Sequence, residues 1–591
     1  MTTSADEGQR GTHYKWIALS NTTLGILMAT INSSILLIAL PDIFRGIKLD
    51  PLAPGNSSYF LWILMGFMLV TSVLVVSLGR VGDMYGRVRM YNLGFAVFTV
   101  FSVALAATWM TGQAGALWIV LMRLGQGVGG AFLFANSSAI ITDAFPADER
   151  GFALGINGVA AIAGSFLGLL VGGVLAPVEW HLVFLVSVPL GLFGTVWAYL
   201  KLRDNGVRVP ARIDWTGNVT FALGLVAILT GIVYGLQPYG GHTMGWTKPF
   251  VLVCLFGGAA VLVLFVVVEL RSDHPMIQLH LFANRTFTMG NLAALLAALA
   301  RGGLQFMLII WLQGIWLPLH GYSFASTPLW AGIYMVPLTV GFLVAGPLAG
   351  RLADRLGARP FATAGVALTG VTFLLFDLLP MNFSYVWFAL LLLLVGLSFG
   401  LFFAPNTSSV MNSLPADMRG AGAGMLNTFQ NSASVLSIGV FFTIITLGLA
   451  SGLPHSLYAG LSAQGVPPAQ AHQVAGLPPI GSLFAAFLGF NPIQQLLGSA
   501  SAAHVSAAHY SYLTGRGFFP SLIAGPFGTG LHLAFAVAAA CCFVGAVFSW
   551  LRSPETTRRR RTGGGGGEGY AGAGDVAMQE VGAGAPAAAT D

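Results

Sequence analysis

Apolar residues run along this chain in long unbroken blocks, and short polar stretches separate one block from the next. Most blocks exceed about 18 residues, the length at which a helix can cross a bilayer core. Fourteen spans are predicted, at 16–41, 59–79, 90–110, 116–141, 151–176, 182–201, 215–236, 249–270, 287–317, 328–350, 361–380, 386–410, 422–449 and 531–552. The period-two alternation that an outer-membrane barrel needs is missing from these blocks. The pattern predicts an all-α polytopic membrane protein.

Composition sharpens that reading. Of 591 residues, 27 are Lys or Arg and 21 are Asp or Glu, so 8% are charged, against roughly 25% in soluble domains. A soluble enzyme could not cover its surface with so few charges. Cysteines 254, 541 and 542 sit inside apolar runs without metal-ligand spacing, so neither a zinc site nor a disulfide framework is expected. No cofactor is expected, and no phosphate-cradling loop points to ATP hydrolysis. Cationic residues set the orientation. With the N-terminus in the cytoplasm, twenty-one of the 27 fall on inside segments, while Arg45, Lys48, Lys248 and Arg516 fall outside. Arg123 and Arg301 lie within spans. Both termini are therefore expected in the cytoplasm of a bacterial cell, with the chain in the plasma membrane. The net charge of +6 reflects this loop asymmetry and not nucleic-acid binding.

The expected organisation is a cytoplasmic N-terminus (1–15), an N-terminal six-span half (16–201), a linker with two inserted spans (202–270), a C-terminal six-span half (271–552) and a disordered cytoplasmic tail (553–591). The C-terminal half carries a long outer loop, 450–530. Within it, 477–498 is apolar but interrupted by Pro478, Pro479 and Pro492, and is expected to form short interfacial helices. In the tail, Arg558–Arg561 are expected to rest on anionic lipid.

One motif occurs twice. After span 2 stands Gly79-Arg-Val-Gly-Asp83-Met-Tyr-Gly86-Arg87-Val-Arg89, and after span 10 stands Gly350-Arg-Leu-Ala-Asp354-Arg355-Leu-Gly357-Ala-Arg359. Repeats at corresponding positions mark a two-halved transporter, here with spans 7 and 8 inserted between the halves. Glycines permit tight turns, and each Asp can cap a helix or pair with an Arg in a gate.

These loops resemble the signature of the major facilitator superfamily. Arg123-Leu-Gly-Gln126-Gly127 in span 4 is similar to a further family motif, and Gly164-x3-Gly168-Leu169-x2-Gly172-Gly173 in span 5 resembles the motif of its fourteen-span drug/proton antiporter branch. Ala39-Leu40-Pro41, Arg212-Ile-Asp214-Trp215-x-Gly217 and Phe282-x-Asn284-Arg285-Thr286-Phe287 also resemble that branch. The resemblance implies a major facilitator fold of 6 + 2 + 6 spans and proton-coupled multidrug efflux of the kind that confers antibiotic resistance. Asn32 departs from it, standing where the branch usually has an Asp; Leu169 replaces a proline and Met84 a basic residue.

Ionisable groups deep in a membrane helix are costly and usually functional. Arg123 is a candidate for the charge pathway, with Asp377 as candidate proton carrier and Asp42 second. Asn427, Gln430, Asn431 and Ser434 share a face of span 13; Phe399, Phe402, Phe403 and Asn406 share one of span 12; and Arg301, Gln305 and Trp316 share one of span 9. With Asn32 and Gln126 these stripes form the candidate substrate cavity, suited to bulky amphipathic and even cationic molecules. The span 5 glycines, Gly164, Gly168, Gly172 and Gly173, are candidates for a hinge or seal. The expected activity is secondary export of amphipathic drug-like compounds by a monomer. Alternatives are export of an endogenous lipid, siderophore or metabolite, or a non-transporting sensor or scaffold.

Overall fold

The computed structural model describes residues 4–50, 53, 55–146, 149–204, 214–240, 242, 244–272, 275, 277–415, 418–493 and 507–553. Arg558–Arg561 and the rest of the tail lie outside the described residues. Fourteen described helices are long and apolar enough to span a bilayer. His13–Gly46, Asn56–Tyr85, Arg87–Ala106, Gly112–Ala144, Ala153–Leu175 and Leu182–Lys201 make the first half. Trp215–Gly235 and Pro249–Arg271 form the insert. Arg285–Leu319, Thr327–Ala353, Ala358–Asp377, Tyr385–Asn412, Gly422–Ala463 and Phe518–Trp550 make the second half. We number them spans 1 to 14.

Small residues decide which helices touch. In span 5, Gly164, Gly168 and Gly172 recur every fourth residue, and a methyl on any of them would strike the span 1 backbone near Leu27, Ile31 and Ile35. Span 12 closes on span 10 by the same means, Gly396 lying against Leu338 and Gly400 against Ala345. With apolar lipid on the other side, close backbone packing of this kind is what drives helices together. The insert crosses tightly at Gly224 and Gly258. It then fastens to span 2 through Asn218 donating to Ser77 and Gln237 donating to Ser57. Span 8 is the most apolar helix and among the least buried, a lipid-facing wall.

Two helices overrun their apolar limits. Span 13 continues to Ala463 and span 14 begins at Phe518, so the outer loop expected at 450–530 is shorter and partly helical. The helix Pro479–Leu488 is a correction to the interfacial expectation: all ten of its residues are buried. Proline occupies its first turn, where the missing N–H costs nothing, and Gly489 ends it in the left-handed region (φ 72°). A helix that is apolar on every side belongs inside a structure.

Candidate functional site

Between the halves lies a narrow cavity walled by Ile162 and Phe166 of span 5, Arg301, Leu304 and Gln305 of span 9, Leu338 and Phe342 of span 10, and Phe399 and Phe403 of span 12. The residues after Arg301 hold it in place. A methyl at Gly303 would strike the Phe441 ring, Gly302 sits against Ser437, and the Ser437 hydroxyl donates to the Leu299 carbonyl. The guanidinium of Arg301 lies 5.9 Å from the Phe403 ring centre. Among the described residues nothing accepts a hydrogen bond from it, and both Arg301 Nε and Gln305 Nε2 are buried without a partner.

A second buried cation sits inside the first half. Arg123 is fully buried and donates from Nη1 to the side-chain oxygens of Asn32 and Gln126 (2.6 Å to the latter). Gln126 donates to Ser102 at 2.7 Å, Asn32 to Ser187 at 3.2 Å, and the guanidinium faces the Phe67 ring at 4.7 Å. Nε and Nη2 of Arg123 have no partner.

Toward the long-loop end the seam between the halves is closed. Phe484 of the buried helix lies 3.8 Å, ring centre to ring centre, from Phe60 of span 2 and stacks on Phe442 of span 13 at 5.1 Å. Phe306 completes the cluster at 6.4 Å from Phe60. Gln313 donates to the Ile38 carbonyl at 3.4 Å from a π-helical turn, Trp311–Trp316, in span 9. Such turns widen a helix and are frequent at functional sites. Gly173 of span 5 packs directly on Pro328 and Leu329 of span 10, and Gly332 on the Leu169 carbonyl.

At the opposite end the first of the repeated loops faces a cleft, lined among others by Gly79, Arg80, Asp83, Arg87, Met425 and Asn427. Both loops break at a glycine with positive φ, Gly86 (105°) and Gly357 (90°), where any side chain would be strained. In the first loop Arg87 pairs with Asp83 at 2.8 Å and with Asp143 at 2.6 Å. This pairing stays within the first half. In the second, the Arg359 guanidinium lies 4.3 Å from the Trp550 ring centre; the side chain of Asp354 lies outside the described residues. Gly350 faces open space and Arg355 is exposed.

The insert also reaches this end. Arg80 donates to the Pro275 carbonyl and faces Asp214 and Glu269. Burial alone would raise the Asp214 carboxyl, but the Gly217 N–H, the hydroxyls of Thr216 and Ser272, and Arg80 hold it below its ordinary value.

Several expected cavity residues lie elsewhere. Asn32 and Gln126 belong to the Arg123 network, and Asn406 is buried, accepting from Arg552 and donating to the Gly290 carbonyl at 3.3 Å. Trp316 donates to the Phe383 carbonyl, away from the cavity. Gln430 and Asn431 are half-buried on span 13. Asp377, the candidate proton carrier, sits at the long-loop end, 2.6 Å from His532 and 35% exposed; Glu269, 3% exposed, is more buried. Asp42 pairs with Arg45 at 2.7 Å. Sequence reading missed Asp143, Arg552 and His532. A signal existed for the first: Asp143-x2-Pro146-Ala-Asp148-x-Arg150-Gly151 returns as Asn412-x2-Pro415-Ala-Asp417-x-Arg419-Gly420, a second repeated segment.

Comparison with known proteins agrees with this architecture. The sequence profile of the Major Facilitator Superfamily matches residues 22–438. The chain is 29% identical over 441 residues to the riboflavin transporter RibZ of Clostridioides difficile, covering 74% of this chain and 89% of that protein. It is 30% identical over 458 residues to the methyl viologen resistance protein SmvA of Salmonella typhimurium (76% and 86%). It is 28% identical over 447 residues to the multidrug resistance protein Stp of Mycobacterium tuberculosis (74% and 78%). Among solved structures, an inward-facing bacterial homologue of the human lysosomal transporter Spinster superposes with a TM-score of 0.54 at 16% identity, covering 91% of this chain and 96% of that one.

Proposed function

Because the chain belongs to the major facilitator superfamily and is a multi-pass membrane transporter rather than an enzyme, we propose that it is a secondary exporter of bulky amphipathic compounds, working by alternating access from a bacterial plasma membrane. One observation carries this reading: an aromatic cavity between the halves, closed toward the long loop, with a wide cleft at the gating-loop end. That is the geometry of a carrier waiting to load from the cytoplasm. Relatives named for multidrug and methyl viologen resistance support drug-like cargo. The riboflavin transporter among the relatives favours the second reading, export of an endogenous aromatic metabolite. Proton coupling would run through acids near the ends of the spans, such as Asp42, Asp83 and Asp377. Expression in a drug-hypersensitive host, challenged with a compound panel, tests the proposal. Lowered accumulation of at least one compound, lost in Asp83→Asn at equal protein level, is expected. Unchanged accumulation of every compound, with the host's own metabolites also unmoved, would contradict it.

A further inference from the structure

Resting on that export reading, we propose that the central cavity takes an amphipathic organic anion, whose carboxylate, sulfonate or phosphate group docks on Arg301 and Gln305. Within the fourteen spans the acids are Asp42, Asp83, Asp143, Glu269 and Asp377, and each lies within about one helical turn of a span end. Arg123 and Arg301 lie near the middle of theirs. The central layer of the membrane-spanning body therefore holds two cations and, among the described residues, no carboxylate to balance them.

The two differ in what surrounds them. Arg123 is enclosed and partly satisfied by two amide oxygens, so its charge is held fixed inside the first half. Arg301 is in the wall itself, with an aromatic face beside it and no hydrogen-bond acceptor among the described residues. One turn along, Gln305 presents an amide nitrogen that also lacks a partner. Both groups are donors, so they match an acceptor with negative charge. Leaving such donors dry is costly, and an anion satisfies them with charge-assisted bonds, about twice as strong as neutral ones. Phe166, Phe342, Phe399 and Phe403 would cover an aromatic body. A cationic cargo would meet the field of Arg301 with no acid in the cavity wall to offset it. An anion has a further consequence: a membrane potential negative inside drives it outward, so its export needs no titrating group in the pathway.

The test uses two dyes on one xanthene scaffold, anionic fluorescein and cationic rhodamine 123, with the purified full-length protein in nanodiscs. Fluorescence anisotropy reads binding, and everted vesicles with an inside-positive potential read transport. The wild type should bind fluorescein at least about tenfold more tightly than rhodamine 123. Arg301→Gln should lose about ten- to hundredfold in fluorescein affinity, while Arg301→Lys keeps the preference. Arg301 gives up no protein hydrogen bond, so Arg301→Gln should keep the wild-type melting temperature. Equal or tighter rhodamine 123 binding, no fluorescein binding, or unchanged affinity in Arg301→Gln would overturn the proposal. Arg301-dependent binding without potential-driven uptake would sink the export reading and leave the site standing. Uptake of either dye indifferent to Arg301 would do the reverse.

Discussion

The two ends of the protein are closed by different chemistry. At the long-loop end the halves meet through rings and bare backbone: Phe60, Phe306, Phe442 and Phe484, with Gly173 against Pro328. At the gating-loop end the described ion pairs link spans within one half, Arg87 joining Asp83 and Asp143, and a cleft separates that half from span 13. An apolar seal costs energy only when it opens to water, about 2 kcal/mol for each ring exposed. One charge moving through 100 mV supplies about 2.3 kcal/mol. Opening four rings therefore needs more than one driving charge, unless Pro479–Leu488 moves with the second half and leaves only the Phe60 contact to break. The charged end is different: its pairs can exchange partners without exposing a core.

Gly168→Leu should have the greatest effect, because its side chain would strike the Ile31 carbonyl; folded protein should drop several-fold by size-exclusion chromatography. Joining Phe60→Cys to Phe484→Cys under oxidation should stop transport almost completely, and reductant should restore it. Full transport by the cross-linked protein would mean that the seal need not open. Asp83→Asn should lower transport about tenfold with abundance nearly unchanged, since a paired charge near the surface adds only about 1 kcal/mol to stability. The smallest effect is expected for Asp354→Asn. In the second repeated segment Asn412 occupies the position that Asp143 holds in the first, so the second loop has one acid fewer to pair with.

Much of the fold was legible because a bilayer leaves few choices: fourteen apolar blocks become fourteen helices. The repeated loop was legible too, since its glycines serve a backbone break that recurs at Gly86 and Gly357. Helix ends were not. Spans 13 and 14 continue past the apolar layer, where hydropathy falls but packing against each other persists: Gly448 meets Gly530, and Ser456 donates to the Leu522 carbonyl. The cavity was legible only in part. Helical period picks a face, yet Phe402 and Asn406 share one with Phe399 and Phe403 and point into the second half instead, because a single helix in a bundle meets several neighbours. Arg552 follows the end of span 14 and is buried. Its bond to Asn406 is between residues 146 apart, a pairing that no local pattern encodes.

Pulsed electron spin resonance on the full-length chain reads alternation of the two ends as distances. One labelled pair, Gly158→Cys with Gly350→Cys, reports the gating-loop end, where both positions face open space. A second pair, Val178→Cys with Ala325→Cys, reports exposed positions at the long-loop end. Opposed changes are expected: conditions that shorten the first distance lengthen the second, and the Phe60–Phe484 cross-link holds the first pair long and the second short. Distances that widen together, or stay fixed while cargo is being transported, would contradict alternation.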